Sequence, residues 1–206
     1  MTEMTTKERT RARILDEAAK AMREHGSDGI GVAALMKRAG LTHGGFYAHF
    51  ENRDDLVAHA VDRMFRDSSA MLSHHLGHAE AAHGLSSLID YYLSEDARRR
   101  TDRGCPLPNL AGEAARMPQA ARRRFAAGIA AFQAALANSL AAMGSPEPST
   151  LAASVLAEMV GAMSLARGLD DDAAKVSLEA SKTRLKLRIG LAPTDTQTDD
   201  APPLRR

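Results

Sequence analysis

The residues best equipped for chemistry lie in separate parts of the chain. Thr42-His43-Gly44-Gly45-Phe46-Tyr47-Ala48-His49 follows Lys37-Arg38 and mixes cations, hydroxyls and imidazoles with two adjacent glycines. Such a mixture suits a nucleic-acid contact, because hydroxyls, cations and exposed backbone N–H groups all reach phosphate oxygens. Cys105, the only cysteine, sits in Gly104-Cys105-Pro106 beside Arg103 and ahead of a short apolar segment. A helix start and a neighbouring cation would each lower the pKa of its thiol and favour the thiolate. Equally, a lone cysteine can be inert core. His74, His75, His78 and His83 form another cluster, and His74 and His78 are spaced to chelate zinc or nickel from one helix face. No third ligand is obviously spaced and HExxH is absent, so no metal is expected. Neither a phosphate-cradling glycine loop nor a GxSxG elbow occurs, so no catalytic residue or cofactor is assigned.

These residues must be held by helices, because nearly every segment repeats with a helical period and none alternates like a strand. Ile14, Leu15, Ala18 and Met22 stripe a first helix closed by His25-Gly26. Val32, Leu35, Met36 and Ala39 stripe a second of about two turns, ended by Gly40. His43 to Phe50 forms a short third, with Phe46 and Phe50 facing the core. Asn52 then caps a long helix whose first turn carries Asp54 and Asp55. Gly77 and Gly84 bracket a break before a helix through Leu85, Leu88, Ile89 and Tyr92. Asn109 to Arg116 reads as a short helix, and Phe125, Ile129, Phe132, Leu136, Leu140 and Met143 stripe a long one. Ser149 is placed as the cap of a helix from Leu151 to Arg167, and a last helix runs through Val176, Ala180, Thr183 and Leu187.

At 206 residues, 44% hydrophobic and 26% charged, the chain has ordinary globular values. Its net charge of +1 excludes a protein that coats nucleic acid or membranes by bulk electrostatics. Even residues 1–66 hold 11 Lys+Arg against 10 Asp+Glu, so any DNA contact rests on a few placed cations and has a modest salt dependence. A lone cysteine and an N-terminus without an apolar run point to the cytoplasm. Phe125 to Pro146 is uncharged and as long as a membrane span, but its large side chains fall on one stripe, so it reads as a core helix and no membrane partner is expected.

Two short helices joined by a glycine turn and braced by a preceding one have the layout of a helix-turn-helix. The run Ala39-Gly40-Leu41-Thr42-His43-Gly44-Gly45-Phe46-Tyr47-Ala48-His49-Phe50-Glu51-Asn52-Arg53-Asp54-Asp55-Leu56 resembles the N-terminal signature of the TetR/AcrR family of transcriptional regulators. The specific match spans Arg9 to Phe65, with two departures: Gly31 stands where the family usually has a capping Ser or Thr, and His43 where it often has lysine. The resemblance implies an all-α fold, with a three-helix helix-turn-helix domain over 1–51, a larger helical effector-binding and dimerisation domain over 52–190, and a disordered tail over 191–206. It implies a one-component regulator, in the repressor mode, that releases a near-palindromic operator when a small-molecule or electrophile effector binds. Thr42, His43, Gly44, Gly45, Tyr47 and His49 would face DNA, with Lys37, Arg38 and the Lys7, Arg9, Arg11 and Arg13 arm supplying charge. The last two helices would form a homodimer, or else complete only the chain's own core. Leu88, Tyr92, Cys105, Phe125, Ile129 and Phe132 would line the effector chamber, or be plain core. Its segment around Cys105 is similar to that of family members sensing electrophiles through a cysteine. The alternatives are an all-α interaction module and a cysteine- or metal-dependent enzyme.

Overall fold

The computed structural model describes residues 4–29 and 31–191, and among them every regular element is helical. The first, α1 (Thr6–His25), begins with a capping box: the Thr5 side chain accepts from the Glu8 N–H, and the Glu8 carboxylate accepts from the Thr5 N–H at 2.7 Å. Its stripe of Ile14, Leu15, Ala18 and Met22 is buried. The second, α2 (Val32–Arg38), starts at Gly31 without a side-chain cap. Gly40 then turns the chain at φ 67°, a left-handed conformation that disfavours other residues, and the Leu41 N–H closes the turn on the Met36 carbonyl at 2.9 Å.

His43–Ala48 is a 3₁₀ helix, not the α-helix the spacing suggests. Adjacent glycines lower α-helix propensity by about 1 kcal/mol each, and the tighter turn lets the Gly45 N–H reach the Thr42 carbonyl. The long α3 (Arg53–Leu76) is capped by Asn52, whose side chain accepts from the Asp55 N–H at 2.9 Å. Because α3 packs on both α1 and α7, it ties the two expected domains together.

Other boundaries shift. α4 (Ala81–Tyr92) starts before Gly84 and carries that glycine inside it, against the expected break, because the backbone of His75 and Leu76 leaves no room there for a Cβ. α5 (Glu95–Arg99) is capped by Ser94, and α6 (Leu107–Leu110) is a single turn separated from a 3₁₀ turn at Ala114–Arg116, so the continuous helix expected from Asn109 is absent. α7 (Gln119–Ala142) is followed by α8 (Pro148–Arg167), which begins before the proposed Ser149 cap because proline fits a helix's first turn. α9 (Asp171–Arg188) is capped by Asp170. The expected disordered tail lies outside the described residues, except Leu191, which is buried.

The larger core is layered as α3 on α7, α7 on α8 and α8 on α9, with α4 closing one side. Phe65 meets Phe125 edge-to-face at 5.3 Å, and Gly128 lies directly under the Phe65 ring. Both α7 and α8 are long and apolar enough to cross a membrane by length and composition. The bulky residues of α7, Phe125, Phe132, Leu136 and Leu140, nonetheless point into the core, and much of what it turns outwards is alanine.

Candidate nucleic-acid interface and effector cavity

The sequence from Thr42 to Phe50 divides by face. Phe46 and Phe50 are buried and stacked at 5.5 Å, which fixes the 3₁₀ turn against α2. Tyr47, next to Phe46, points the other way and is 68% exposed. Its ring stands edge-on to Phe46 at 5.3 Å and to His43 at 6.4 Å, so packing holds the phenol upright while its hydroxyl stays in solvent. Thr42 precedes the turn and makes no side-chain capping bond, so its hydroxyl is available to a partner. His43 and Gly44 are exposed, and Gly44 has open space above it.

The remaining residues of the expected interface are less free. Arg38 stands 3.5 Å from both Glu17 and Glu24, whereas Lys37 is exposed without an acidic partner among the described residues. Arg11 lies over the Phe50 ring, 4.8 Å from its centre. His49 does not join the exposed face. It is half-buried, its Nδ1 is enclosed without a partner, and burial holds its pKa down with help from Lys7 and Arg11.

The six expected effector-chamber residues also separate. A cavity of about 70 Å³ opens between α4, α5, the loop before α6, and α8, and both Tyr92 and Cys105 line it. Leu88, Phe125 and Phe132 are fully buried core, Ile129 packs partly buried against that core, and none of the four borders the cavity. Leu88 sits on the buried stripe of α4, and the three α7 residues share the helix face turned to α3 and α8, which explains their helical spacing without a ligand.

The features expected to activate Cys105 do not act as the sequence suggests. Arg103 is exposed and paired with Asp102 at 3.1 Å, and α6 is only one turn long. Burial pushes the Cys105 thiol up, outweighing the opposing pull of Tyr92, the Leu107 backbone, Ser68 and Arg23. The neighbouring Tyr92 hydroxyl is enclosed and makes no hydrogen bond of acceptable geometry, and burial raises its pKa strongly. Arg167 joins the same cavity from the end of α8 and was not anticipated. One signal was available: Glu158 and Arg167 are the charged residues of α8.

Around the histidines, the rings pair as His74 with His75 and His78 with His83, each at 4.9 Å, while His75 Nδ1 meets the Ser87 hydroxyl at 2.9 Å. Among the described residues, no three His, Cys, Asp or Glu side chains are grouped to hold a metal ion.

Residues 14–60 match the family model for bacterial regulatory proteins of the tetR family, and residues 81–180 match the tetracyclin repressor-like C-terminal domain. The chain belongs to the TetR family. TetR-family proteins are transcriptional regulators, and this one has the family's N-terminal helix-turn-helix domain and larger C-terminal helical domain. A TetR regulator from Chloroflexus aurantiacus is 27% identical, with a TM-score of 0.79 over 91% of this chain and 97% of that one. E. coli NemR in its reduced form is 21% identical, with a TM-score of 0.77 over 87% of this chain and 96% of that one. SCO4454, a TetR-family regulator from Streptomyces coelicolor, is 21% identical, with a TM-score of 0.75 over 88% and 94%. The NemR and SCO4454 likenesses are of fold. No curated protein sequence matches this TetR chain.

Proposed function

We propose that this TetR-family protein is a cytoplasmic, non-enzymatic one-component repressor that binds its operator as a homodimer and leaves it when a small molecule occupies the cavity at Tyr92 and Cys105. One observation carries the DNA-binding part. Thr42, His43, Gly44 and Tyr47 form an exposed polar face on a turn whose other face, Phe46 and Phe50, is locked in the core. That arrangement presents hydroxyls and bare backbone at fixed positions, as insertion into a major groove requires. In this reading Gly45 and Lys37 flank the contact, Arg38 joins by leaving its two glutamates, and His49 orients the turn from behind. The helix-turn-helix unit over 1–51 is braced by α3, which belongs to the larger unit over 52–190.

Support for the dimer comes from α8 and α9. Leu165 and Val176 are 70% and 71% exposed, with Leu169 and Leu187 also open to solvent, so an apolar surface faces outwards on the last two helices. The stripe of Val176, Ala180, Thr183 and Leu187 is the outer face of α9, because Ala174, Leu178 and Leu185 fill the inner one. For the effector, a raised Cys105 pKa disfavours the thiolate that fast electrophile capture needs, so a reversibly bound ligand is the better reading.

Gel retardation on the DNA upstream of the protein's own gene tests the proposal. Sequence-specific retardation at physiological salt, with a shallow salt slope, is expected. Retardation that competitor DNA of any sequence removes equally would overturn it.

A further inference from the structure

The buried cations described in this fold face carboxylates, whereas the half-buried Arg167 does not. Arg23 pairs with Asp67 at 2.9 Å, Lys186 pairs with Asp90 at 2.7 Å, and Arg98 pairs with Asp171. Arg167 has no acidic partner among the described residues. Its guanidinium donates to the Asn109 side-chain oxygen and to the Ala97 carbonyl at 3.2 Å, both neutral, and its Nε is enclosed without any partner. Burial disfavours its charge, and the groups that would favour it when ionised, Tyr92 and Cys105, are themselves held neutral by burial, which raises the pKa of both. An enclosed cation without a counter-charge is costly unless something supplies one.

The cavity beside Arg167 holds a second unsatisfied group. Tyr92 is 4% exposed and lines the cavity, and its hydroxyl, beside the Cys105 thiol, makes no hydrogen bond of acceptable geometry. A phenol donates to an anion, and a planar guanidinium matches a planar acid group. Asp96, Arg100 and Arg103 also line the cavity, but Asp96 is paired with Arg100 and Arg103 with Asp102, each at 3.1 Å, while Ala97, Pro108 and Met163 supply an apolar stretch of wall that suits carbon rather than bare inorganic phosphate. At about 70 Å³ the space is well below the roughly 300–1,000 Å³ of drug-sized sites, so the occupant is small.

We propose that the cavity binds a small carboxylic acid, its carboxylate paired with Arg167 and accepting a hydrogen bond from the Tyr92 hydroxyl. This deepens the repressor reading and rests on it for the consequence. Asn109, which accepts from Arg167, donates through its side-chain nitrogen to the Arg23 carbonyl near the end of α1, the helix that braces the DNA-facing turn. An acid that draws Arg167 away from Asn109 therefore loosens a tie between the cavity and α1.

Calorimetric titration of the full chain, without DNA, tests the site. The probes are acetate, pyruvate and lactate, each against its primary amide, with inorganic phosphate as a further arm. At least one acid is expected to bind with roughly tenfold or greater preference over its amide, a preference lost in Arg167→Gln and retained in part by Arg167→Lys. Tyr92→Phe is expected to weaken acid binding while raising the melting temperature of the free protein, because it removes an unsatisfied buried hydroxyl. Binding by none of the acids, equal binding of acids and amides, equal binding of phosphate, or an acid preference that survives Arg167→Gln overturns the proposal. Operator retardation by the unliganded wild-type protein is measured separately. Its failure removes the repressor reading and leaves the calorimetric result to stand or fall alone.

Discussion

Tyr47 and Gly44 hold up nothing in the isolated chain. The Tyr47 side chain is exposed, and a Cβ on Gly44 meets open space. Tyr47→Ala and Gly44→Ala should therefore leave the melting temperature within about 2 °C of wild type, as surface changes do. Both should weaken operator binding about tenfold, Tyr47→Ala by removing a hydroxyl donor and Gly44→Ala by holding the backbone away from the groove. Fluorescence anisotropy on the retarded operator fragment checks this, and unchanged affinity in both variants would remove the assignment of this face. Titration supplies another residue-scale expectation. Burial is the leading cause that holds His49, His59 and His75 below the usual histidine pKa, with nearby basic groups adding to it. In the unfolded chain they take up protons near pH 6.5, so stability present above that pH is lost as the pH falls through and below it. Cys105 is raised, so above about pH 8.5 the unfolded chain ionises first and stability falls again. Scanning calorimetry from pH 5 to pH 9 should show a highest melting temperature between about 7 and 8. A melting temperature that climbs steadily down to pH 5 contradicts these placements.

Between elements, α3 and α7 approach closely at Gly128. Gly128 lies under the Phe65 ring, and an added Cβ would overlap the ring carbons. Phe65 is itself packed edge-on to Phe125, so its ring cannot move aside without disturbing the core. Gly128→Ala should cost about 1–3 kcal/mol despite the better helix propensity of alanine, through overpacking. Urea unfolding measures it, and a variant as stable as wild type would mean that the two helices part freely. The same crossing sets how α3 hangs between the units, because α3 also packs on α1. Sequence periodicity identified both helices and their apolar faces, since Leu56, Val57, Val61 and Met64 are buried as their spacing predicts. It could not show that Gly128 meets Phe65, because Gly128 lies 63 positions further along the chain.

For the whole molecule, the proposed dimer rests on the outer faces of α8 and α9. Val176→Arg puts a charge in the middle of an apolar surface where nothing in the chain's own core is disturbed. In solution the variant should run as a monomer by light scattering while wild type runs as a dimer, with operator affinity reduced about a hundredfold as the second half-site is lost. A monomeric wild type would end the dimer proposal.

The all-helical class, most helix stripes, the glycine turn at Gly40 and the exposed Tyr47 beside buried Phe46 and Phe50 were all legible in the sequence. Each follows from local rules: a helical period assigns faces, and glycine is the residue that turns left-handed cheaply. The cavity was not. The four residues expected to line it that lie in or against the core obey the same period as any wall, and whether a buried side chain borders empty space depends on what packs opposite it. Cys105 illustrates the limit, because its neighbours in sequence predict a lowered pKa while its neighbours in space raise it. Arg167 illustrates it further. An arginine ending a helix is unremarkable until the fold brings it to Tyr92 and Asn109, 75 and 58 residues earlier in the chain, with no ion pair to a carboxylate among the described residues. Local chemistry is written in residue order, whereas desolvation and the pairing of charges depend on distance in three dimensions, which only the packed chain fixes.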